Sequence, residues 1–571
     1  PMTTSADTGT APPKSASGRV RGPRKGTDLG QWKVSGRTPL NHNEEFKAEE
    51  NSLNVQRRII EEYSKTGCAS IPTDDVHGRF RWLGLYTQRK QGVEGASTSK
   101  LDAESLSDEY FMQRIRLDGG QLSTEQARVL GEISREFARG TADVSDRQNI
   151  QLHWIRIEDV PEIWQRLEAV GLTTLEACGD TPRVFLGSPV AGVEKNAVID
   201  PSEELAALRE EFIGNPEYVN LPRKFKTAIT GSPTLDVVHE INDVSFVGVN
   251  HPELGPGYDL WVGGALSVAP RLGERLGAFV SRENVVPVWA GVCGIFRDYG
   301  YRKQRTKARL KFLLAEWGPS TFRQVLQDEY LGFELPDGPA PERAVGHSDH
   351  VGVHEQVDGN RYVGFALTAG RLSGDALVAL ADAAEAAGSQ RIRLTPHQKV
   401  LVLDVPEDTV DGLIEAVQPL GLHAKPCPFR RSTIACTGIE FCKLAFVETK
   451  GLAARVIDDM EDRLADVEIP TPISLHINGC PNSCARIQTA DIGLKGQYIG
   501  EEYVFQVHLG GGLASTDREE GGLGRTVRGL KVTADDLSDY VERVTRTFLR
   551  ERGPEQSFAE WALSAEEDSL R

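Results

Sequence analysis

Four of the eight cysteines stand in two pairs beside glycine residues, with spacings that suit an iron–sulfur cluster. Cys436 and Cys442 enclose five residues, and Cys480 and Cys484 enclose three. The pairs are 38 positions apart, so they must meet through the fold. Four soft thiolates form the ligand set of a cubane cluster. A zinc site is one alternative, although zinc pairs favour two to four intervening residues; inert buried cysteines are another.

Basic side chains are concentrated in a few short segments. These segments contribute Arg114 and Arg116, then Arg147, Gln151 and His153, then Arg183, then Arg223, Lys224 and Lys226, and finally Arg302, Arg305, Lys307, Arg309 and Lys311. Such concentrations are what a buried polyanion would require, because burying its charge needs cations and hydrogen-bond donors. Solvated faces, and for His153 a place in the core, are the alternatives.

A module of about 250 residues occurs twice. Segment 119–123 resembles 369–373, and 144–152 resembles 394–402, both at an offset of 250. The match continues at an offset of 247, where 260–266 resembles 507–513. Self-similarity of this kind predicts two halves related by a pseudo-two-fold axis.

Each module begins with strands and helices in alternation. In the first copy the predicted elements are strand 110–117, helix 123–139, strand 149–157 and helix 160–171. Ser123 and Gln126 have capping-box spacing, and Pro161 stands near the start of the last helix. These elements predict an α+β sandwich, which an α/β segment containing 243–250 and 258–266 follows.

Composition excludes several classes of protein. The 571 residues are 39% hydrophobic and 26% charged, with a net charge of −18. We therefore expect no nucleic-acid binding and no association with anionic membranes. No transmembrane run or signal pattern is apparent, and the few cysteines fit a reducing cytosol, so the expected location is cytoplasmic.

The chain divides into five predicted segments. They are a disordered basic tail at 1–30, a first α+β half-domain at 31–178, a central α/β domain at 179–344, a second α+β half-domain at 345–428, and an α/β domain with the clustered cysteines at 429–571.

The cysteine pairs, with "NGCPNSC" at the second, resemble the sirohaem-containing sulfite and nitrite reductases. The resemblance extends over about residues 35–560. It implies a ferredoxin-like half plus an α/β half in each module, in the three-domain architecture of sulfite reductase haemoproteins. It also implies a [4Fe–4S] cluster on the four cysteines, bridged to sirohaem iron by Cys484, with Asn482 beside the cofactor.

The same resemblance implies roles for the basic residues. Arg114, Arg183, Lys224 and Lys226 would be catalytic and surround the substrate anion. The residues that would contact cofactor carboxylates are Arg116, Arg147, Gln151, His153, Arg223, Arg305, Lys307 and Arg309. Some members carry a tyrosine–cysteine thioether cross-link, and Tyr86 and Cys178 match its positions.

The resemblance also indicates the substrate and the electron donor. Members selective for nitrite carry asparagine at the position of Lys226, so this lysine favours sulfite, a doubly charged anion. A ferredoxin-dependent nitrite reductase is the alternative. Reduced ferredoxin is the implied donor, since no Gly-x-Gly-x-x-Gly unit indicates nucleotide binding; a flavoprotein subunit that uses NADPH is the other option. We expect a monomer.

A binding or scaffold protein without turnover is the third hypothesis. Such a protein would need no tetrapyrrole, and the basic clusters between residues 114 and 226 would then have no purpose.

Overall fold

A computed structural model describes residues 28–571, so the predicted tail at 1–30 lies almost entirely outside the described residues. The strands are β1 Leu85–Arg89, β2 Ser107–Ile115, β3 Gln121–Ser123, β4 Thr141–Val144, β5 Ile150–Ile155, β6 Leu186–Gly187, β7 Thr227–Thr230, β8 Val244–His251, β9 Gly255–Val262, β10 Glu274–Val280, β11 Gly352–Glu355, β12 Arg361–Ala366, β13 Arg371–Ser373, β14 Arg391–Leu394, β15 Lys399–Val405, β16 Thr433–Ala435, β17 Leu475–Asn478, β18 Ile492–Ile499, β19 Glu502–Leu509 and β20 Arg525–Val532.

Helices cover these sheets and connect their strands. They are α1 Trp32–Ser35, α2 His42–Glu49, α3 Val55–Arg58, α4 Ser64–Thr66, α5 Thr73–Val76, α6 Ala103–Leu106, α7 Thr124–Phe137, α8 Val160–Ala169, α9 Ser202–Phe212, α10 Val285–Tyr299, α11 Leu310–Val325, α12 Gly374–Ala386, α13 Val410–Val417, α14 Pro428–Ser432, α15 Lys450–Arg463, α16 Leu537–Glu551 and α17 Phe558–Ser564.

Two antiparallel sheets form one layer and exchange their edge strands. One sheet has the order β1-β2-β5-β4-β13, and the other has the order β11-β12-β15-β14-β3. Strand β13 from the second module pairs with β4, and β3 from the first module pairs with β14. The exchange joins the two modules into one core, in which α7 and α12 pack against each other.

The predicted elements of the first module are confirmed with small shifts at their ends. Helix α7 begins after Ser123, whose hydroxyl accepts from the Gln126 amide while the Gln126 side chain accepts from the Ser123 amide. The close packing of α7 on α12 requires glycine, since a Cβ at Gly131 would lie 2.6 Å from the carbonyl oxygen of Gly374.

The other two sheets share one topology. Their orders are β10-β9-β8-β7-β6 and β16-β17-β18-β19-β20. In each sheet the first three strands along the chain are parallel, and two antiparallel strands complete it. Helices α10 and α11 cover the first of these sheets, and α15 and α16 the second, each with its own apolar core.

Two equivalent glutamines attach the antiparallel sheets to the mixed sheets. The side-chain amide of Gln148 donates to the Gly187 carbonyl and accepts from the Gly187 amide. Gln398, 250 positions later, makes the same pair of bonds with Ala435. The predicted duplication with pseudo-two-fold symmetry is therefore confirmed.

Within residues 28–571 no helix is both long and apolar enough to span a bilayer.

Candidate functional site

The four predicted cluster cysteines follow two neighbouring parallel strands. Cys436 comes directly after β16, and Cys480 and Cys484 follow β17. Because carboxyl ends of parallel strands meet at one sheet edge, these loops converge there. Cys442 joins them through a tight turn at Gly438, where φ is +71° and a Cβ would lie 2.3 Å from the Thr449 hydroxyl.

The thiols lie close enough to influence one another electrostatically. Burial and then the charge of Cys484 raise the pKa of Cys436 to about 12. Burial and then Cys484 also raise the pKa values of Cys442 and Cys480. Four thiolates in this space therefore need a cationic centre to stabilise them.

Backbone and side-chain N–H groups point at the sulfurs. The Gly479 amide lies 3.2 Å from Cys436 Sγ, and the Asn478 amide nitrogen lies 3.8 Å from Cys480 Sγ. Such contacts raise the reduction potential of a bound cluster. Among residues 28–571, no group of three or more His, Cys, Asp or Glu side chains is placed to hold a single metal ion.

A cavity of about 160 Å³ opens beside Cys484 and is strongly basic. Its described lining has one acid, Asp146, and seven cations, which are Arg114, Arg147, Arg183, Lys224, Lys226, Arg309 and Arg486. Gln151 and Asn482 complete its polar wall. The structure thus brings together all four predicted catalytic residues, four of the predicted cofactor contacts and one cluster cysteine.

Several guanidinium nitrogens around this cavity have no partner in the described part of the chain. They are Arg114 Nε, Arg147 Nε, Arg309 Nε and Arg486 Nη1, and all four atoms are buried. Unpaired buried donors are costly. A cofactor with many carboxylates would satisfy them, so this donor set fits sirohaem, and the four converging thiols fit a [4Fe–4S] cluster.

Burial and neighbouring positive charges lower the pKa values of both lysines. The charge of Lys226 and then burial hold the pKa of Lys224 well below its usual value. Burial, followed by the charges of Arg147 and Arg309, lowers the pKa of Lys226 to about 7. The pair is therefore poised to bind an anion and to release a proton near neutral pH.

Tyr86 and Cys178 lie next to the same arginines. Cys178 is fully buried, and Arg114 Nη1 lies 2.6 Å from its sulfur. Burial and then Cys178 raise the pKa of Tyr86, while Arg183 lowers it. The tyrosine and the cysteine are thus neighbours beside Arg114 and Arg183.

Arg116 differs from its predicted role as a cofactor contact. Its side chain is buried outside the cavity lining, where it pairs with Asp118 at 2.9 Å and donates to the carbonyls of Glu176, Pro182 and Arg183. The physical reason is that β2 ends at Ile115, so Arg116 no longer shares the face of Arg114. It holds the segment that carries Cys178 and Arg183.

His153 also lies outside the cavity lining. Its ring stacks on Phe441 at 3.8 Å, directly before Cys442. Burial lowers the pKa of His153 to about 3, so the ring is neutral. It supports the cluster loop by packing.

Three further predicted cofactor contacts lie away from the cavity lining. Arg305 forms a bidentate pair with Asp180 at 2.8 and 3.0 Å, and Arg223 donates to the Arg305 carbonyl at 2.8 Å. Lys307 is exposed. Through these bonds Arg223 attaches the "RKFK" segment to the Arg305 backbone, and Arg305 attaches to Asp180.

Arg486, which no sequence pattern indicated, also lines the cavity. It is 4% exposed, and its nearest acid is Asp146 at 3.8 Å. A single arginine two positions after Cys484 carries little pattern of its own. Its place in the cysteine loop was the one available indication.

Comparison with known proteins agrees with this geometry. Residues 178–335 and 428–563 match the nitrite and sulphite reductase 4Fe-4S domain, and 105–170 and 354–420 match the nitrite/sulfite reductase ferredoxin-like half domain. The chain belongs to the nitrite and sulphite reductase family, as its cysteine motif predicted, and has the cluster-bearing fold of that family.

The similar proteins include curated sulfite reductases that use ferredoxin. The chain is 53% identical to "Sulfite reductase [ferredoxin] 2" of Mycolicibacterium paratuberculosis and to "Sulfite reductase [ferredoxin]" of Mycobacterium tuberculosis, in each case over 96% of this chain and 99% of the relative. An "Assimilatory ferredoxin-dependent nitrite reductase" of Haloferax mediterranei is 34% identical over 90% of each chain. The solved NirA protein of Mycobacterium tuberculosis superposes with a TM-score of 0.93 at 53% identity, covering 95% of this chain and all of that one.

Proposed function

We propose that this chain is a ferredoxin-dependent sulfite reductase, which reduces sulfite to sulfide with six electrons. The observation that carries the proposal is the basic cavity lined by Cys484, one of the four converging cysteines. The relatives at 53% identity are named as sulfite reductases, whereas the nitrite reductases are more distant.

The cofactors are a [4Fe–4S] cluster on Cys436, Cys442, Cys480 and Cys484, and sirohaem against the basic wall of the cavity. Together they would supply single electrons and an iron atom that binds the substrate. Four side chains would hold the carboxylates and the polar edge of the tetrapyrrole. They are Arg147, Arg309, Gln151 and Asn482.

Four side chains would bind and orient the substrate anion. Arg114 and Arg183 donate hydrogen bonds to its oxygens, and Lys224 and Lys226 neutralise its charge in a site that excludes most water. When a dianion enters, both lysines gain protons, since an opposite charge favours their charged forms.

Lys226 would then act as a proton donor. Its pKa of about 7 in the free protein lies near the operating pH, where a general acid is most effective. A protonated ammonium next to a sulfite oxygen can deliver its proton as that oxygen leaves as water.

Electrons would come from reduced ferredoxin, as the names of the relatives state for those proteins. We place the enzyme in the cytoplasm as a monomer. All eight cysteines are unpaired in the described residues, which fits a reducing compartment. Light scattering of the purified protein tests the monomer.

The direct experiment is an electron count. Purified holoenzyme receives sulfite and reduced methyl viologen under argon, and then reduced ferredoxin in place of the viologen. We expect six viologen cations oxidised per sulfide formed. Oxidation without sulfide, or no oxidation, would contradict the proposal.

A further inference from the structure

A second cavity, of about 210 Å³, lies outside the site described above. Its wall includes His397, Lys399, Arg431, Ser474 and Arg486. Nothing in the proposed reaction uses this space, so its composition needs its own explanation.

The second cavity is the internal-symmetry counterpart of the first. The Lys226 amide donates to Asp243 at 2.8 Å, and the Ser474 amide donates to Asp491 at 2.8 Å, 248 positions later. At the same offset, Arg431 takes the place of Arg183. The pseudo-two-fold axis therefore carries the basic cavity onto this second one.

The replacements remove the redox chemistry. The positions of Lys224 and Lys226 hold Pro472 and Ser474, and the position of Cys484 holds Asp236. Asp236 is fully buried, where it pairs with His350 at 2.8 Å and accepts from the hydroxyl of Thr230. The second cavity therefore has no thiolate that could bridge an iron centre.

A cation without a hydrogen-bonded partner remains in the second cavity. Lys399 is 1% exposed, and within residues 28–571 its ammonium group has no carboxylate within 4 Å, although the charge of Asp349 favours its protonated form. His397 Nε2 and Arg486 Nη1 are also buried without a partner there. These nitrogen groups are hydrogen-bond donors in the cavity wall, and leaving them unpaired destabilises the folded protein.

Two of the three acids in the cavity lining are already engaged, and the third, Asp517, is exposed. Asp349 forms a bidentate pair with Arg431 at 2.7 and 2.9 Å. Asp491 accepts from the amide and the hydroxyl of Ser474, and burial raises its pKa to about 6. Lys399, whose pKa burial lowers to about 8, stays protonated at neutral pH. The free hydrogen-bonding capacity of this wall is thus mainly that of donors.

Arg486 belongs to both cavities. It and Val238, its equivalent at an offset of 248, line each of them, and both residues have positive φ, 59° and 48°. The two cavities are therefore separated by a single layer of side chains at the pseudo-two-fold axis.

We propose that the second cavity binds a small tetrahedral oxyanion of the phosphate or sulfate type, with Lys399 as its main cationic contact and His397 as a further donor. The site is distinct from the sulfite site and needs no metal. A tetrahedral group, free or on an organic molecule, matches donors that approach from several directions.

The test is calorimetric titration of the holoenzyme with inorganic phosphate, and separately with sulfate, at constant ionic strength. The variant is Lys399→Met, and the control is Lys425→Met, which removes an exposed lysine from the same half of the chain. We expect wild type and K425M to bind the anion, and K399M to bind it about tenfold more weakly or not at all.

A second variant protects the test against a misfolded protein. Ser432→Asp adds a negative charge to the cavity wall and leaves Lys399 in place, and we expect the same loss of binding. Without phosphate, K399M should melt no lower than wild type, because it removes an unpaired buried charge. Phosphate binding that is equal in wild type and K399M, or absent from wild type, would overturn the proposal.

Discussion

The most informative residues are the two lysines of the active-site cavity, because their charges oppose each other in a buried space. The charge of Lys226 and then burial lower the pKa of Lys224, whereas burial and the charges of Arg147 and Arg309 lower the pKa of Lys226. We expect such a site to bind a dianion strongly. Without the anion, repulsion between the buried cations destabilises the protein. The protonation of this pair should therefore be visible in the pH dependence of catalysis.

We predict that kcat/KM falls as the pH rises through about 7. The ammonium form of Lys226 is complete below its pKa of about 7 and is lost above it, and kcat/KM reports the free enzyme. The fall should be pronounced for sulfite, with kcat/KM expressed per dianion, and weak for nitrite, which keeps one charge over this range and depends less on Lys226. In Lys226→Arg the side chain stays charged, so the falling limb should move to higher pH. An unchanged limb in K226R would assign it to another group.

A second prediction concerns Tyr86 and Cys178, which neighbour each other beside Arg114. We expect a thioether between them, which makes the joined tryptic peptides two hydrogen atoms lighter than the separate ones. Mass spectrometry of the digest measures this directly. Cys178→Ser should abolish the joined species and Cys293→Ser, at another buried cysteine, should keep it. Finding only separate peptides in wild type would disprove the link.

At the level of elements, the short exchanged strands β3 and β13 hold the two modules together. Each follows a glycine in a left-handed conformation, Gly120 with φ +66° and Gly370 with φ +74°. A Cβ at Gly120 would lie 2.2 Å from the Leu394 carbonyl oxygen, and one at Gly370 would lie 2.4 Å from that of Val144. These two contacts are equivalent at an offset of 250.

We predict that Gly120→Ala destabilises the fold by more than the cost of its backbone conformation alone. Gly140→Ala is the matched control, because Gly140 has φ +75° but nothing within 4 Å of its Cβ position. The control should lose about 1–2 kcal/mol and Gly120→Ala clearly more. Denaturant unfolding of both variants measures the difference. Equal losses would mean that the exchanged strand adapts without cost.

The sequence predicted the long elements better than the exchange. Helix α7 was placed within two residues because its capping box and apolar spacing are local. Strands of three residues have too few positions to show a period, so β3 and β13 appeared only as repeated motifs. The family resemblance placed Arg116 among the cofactor contacts, but β2 ends at Ile115, and the Arg116 side chain is directed away from the cavity. Arg486 was missed because its role depends on a pseudo-symmetry axis that only the fold places.

For the whole molecule, the contrast between net charge and site charge is the main electrostatic feature. The chain has a net charge of −18, yet the described lining of the cavity carries seven cations and one acid. The fold concentrates positive charge in the cavity because it brings segments from three of the predicted domains together next to the cysteine loops. The domain boundaries themselves stay a prediction.

We predict that Cys442→Ser removes the cluster and with it sulfite reduction. Three remaining thiolates bind a cubane poorly, and the loss should appear as less iron and acid-labile sulfide per chain and weaker visible absorption. Cys427→Ser, at an exposed cysteine of the same half, should keep the iron content, the acid-labile sulfide and the visible absorption of the wild type. Full iron content and activity in C442S would contradict the ligand assignment.

We propose that Lys226 makes this cavity a sulfite site. The ratio of kcat/KM for sulfite to kcat/KM for nitrite tests this role of Lys226 directly. The ratio is measured for wild type, Lys226→Asn and the control Lys307→Asn, at an exposed lysine outside the cavity lining. We expect the wild type to favour sulfite. In K226N, kcat/KM should fall about 100-fold for sulfite and much less for nitrite, whereas K307N should match the wild type for both substrates. A wild-type preference for nitrite, or the same ratio in K226N, would contradict the account.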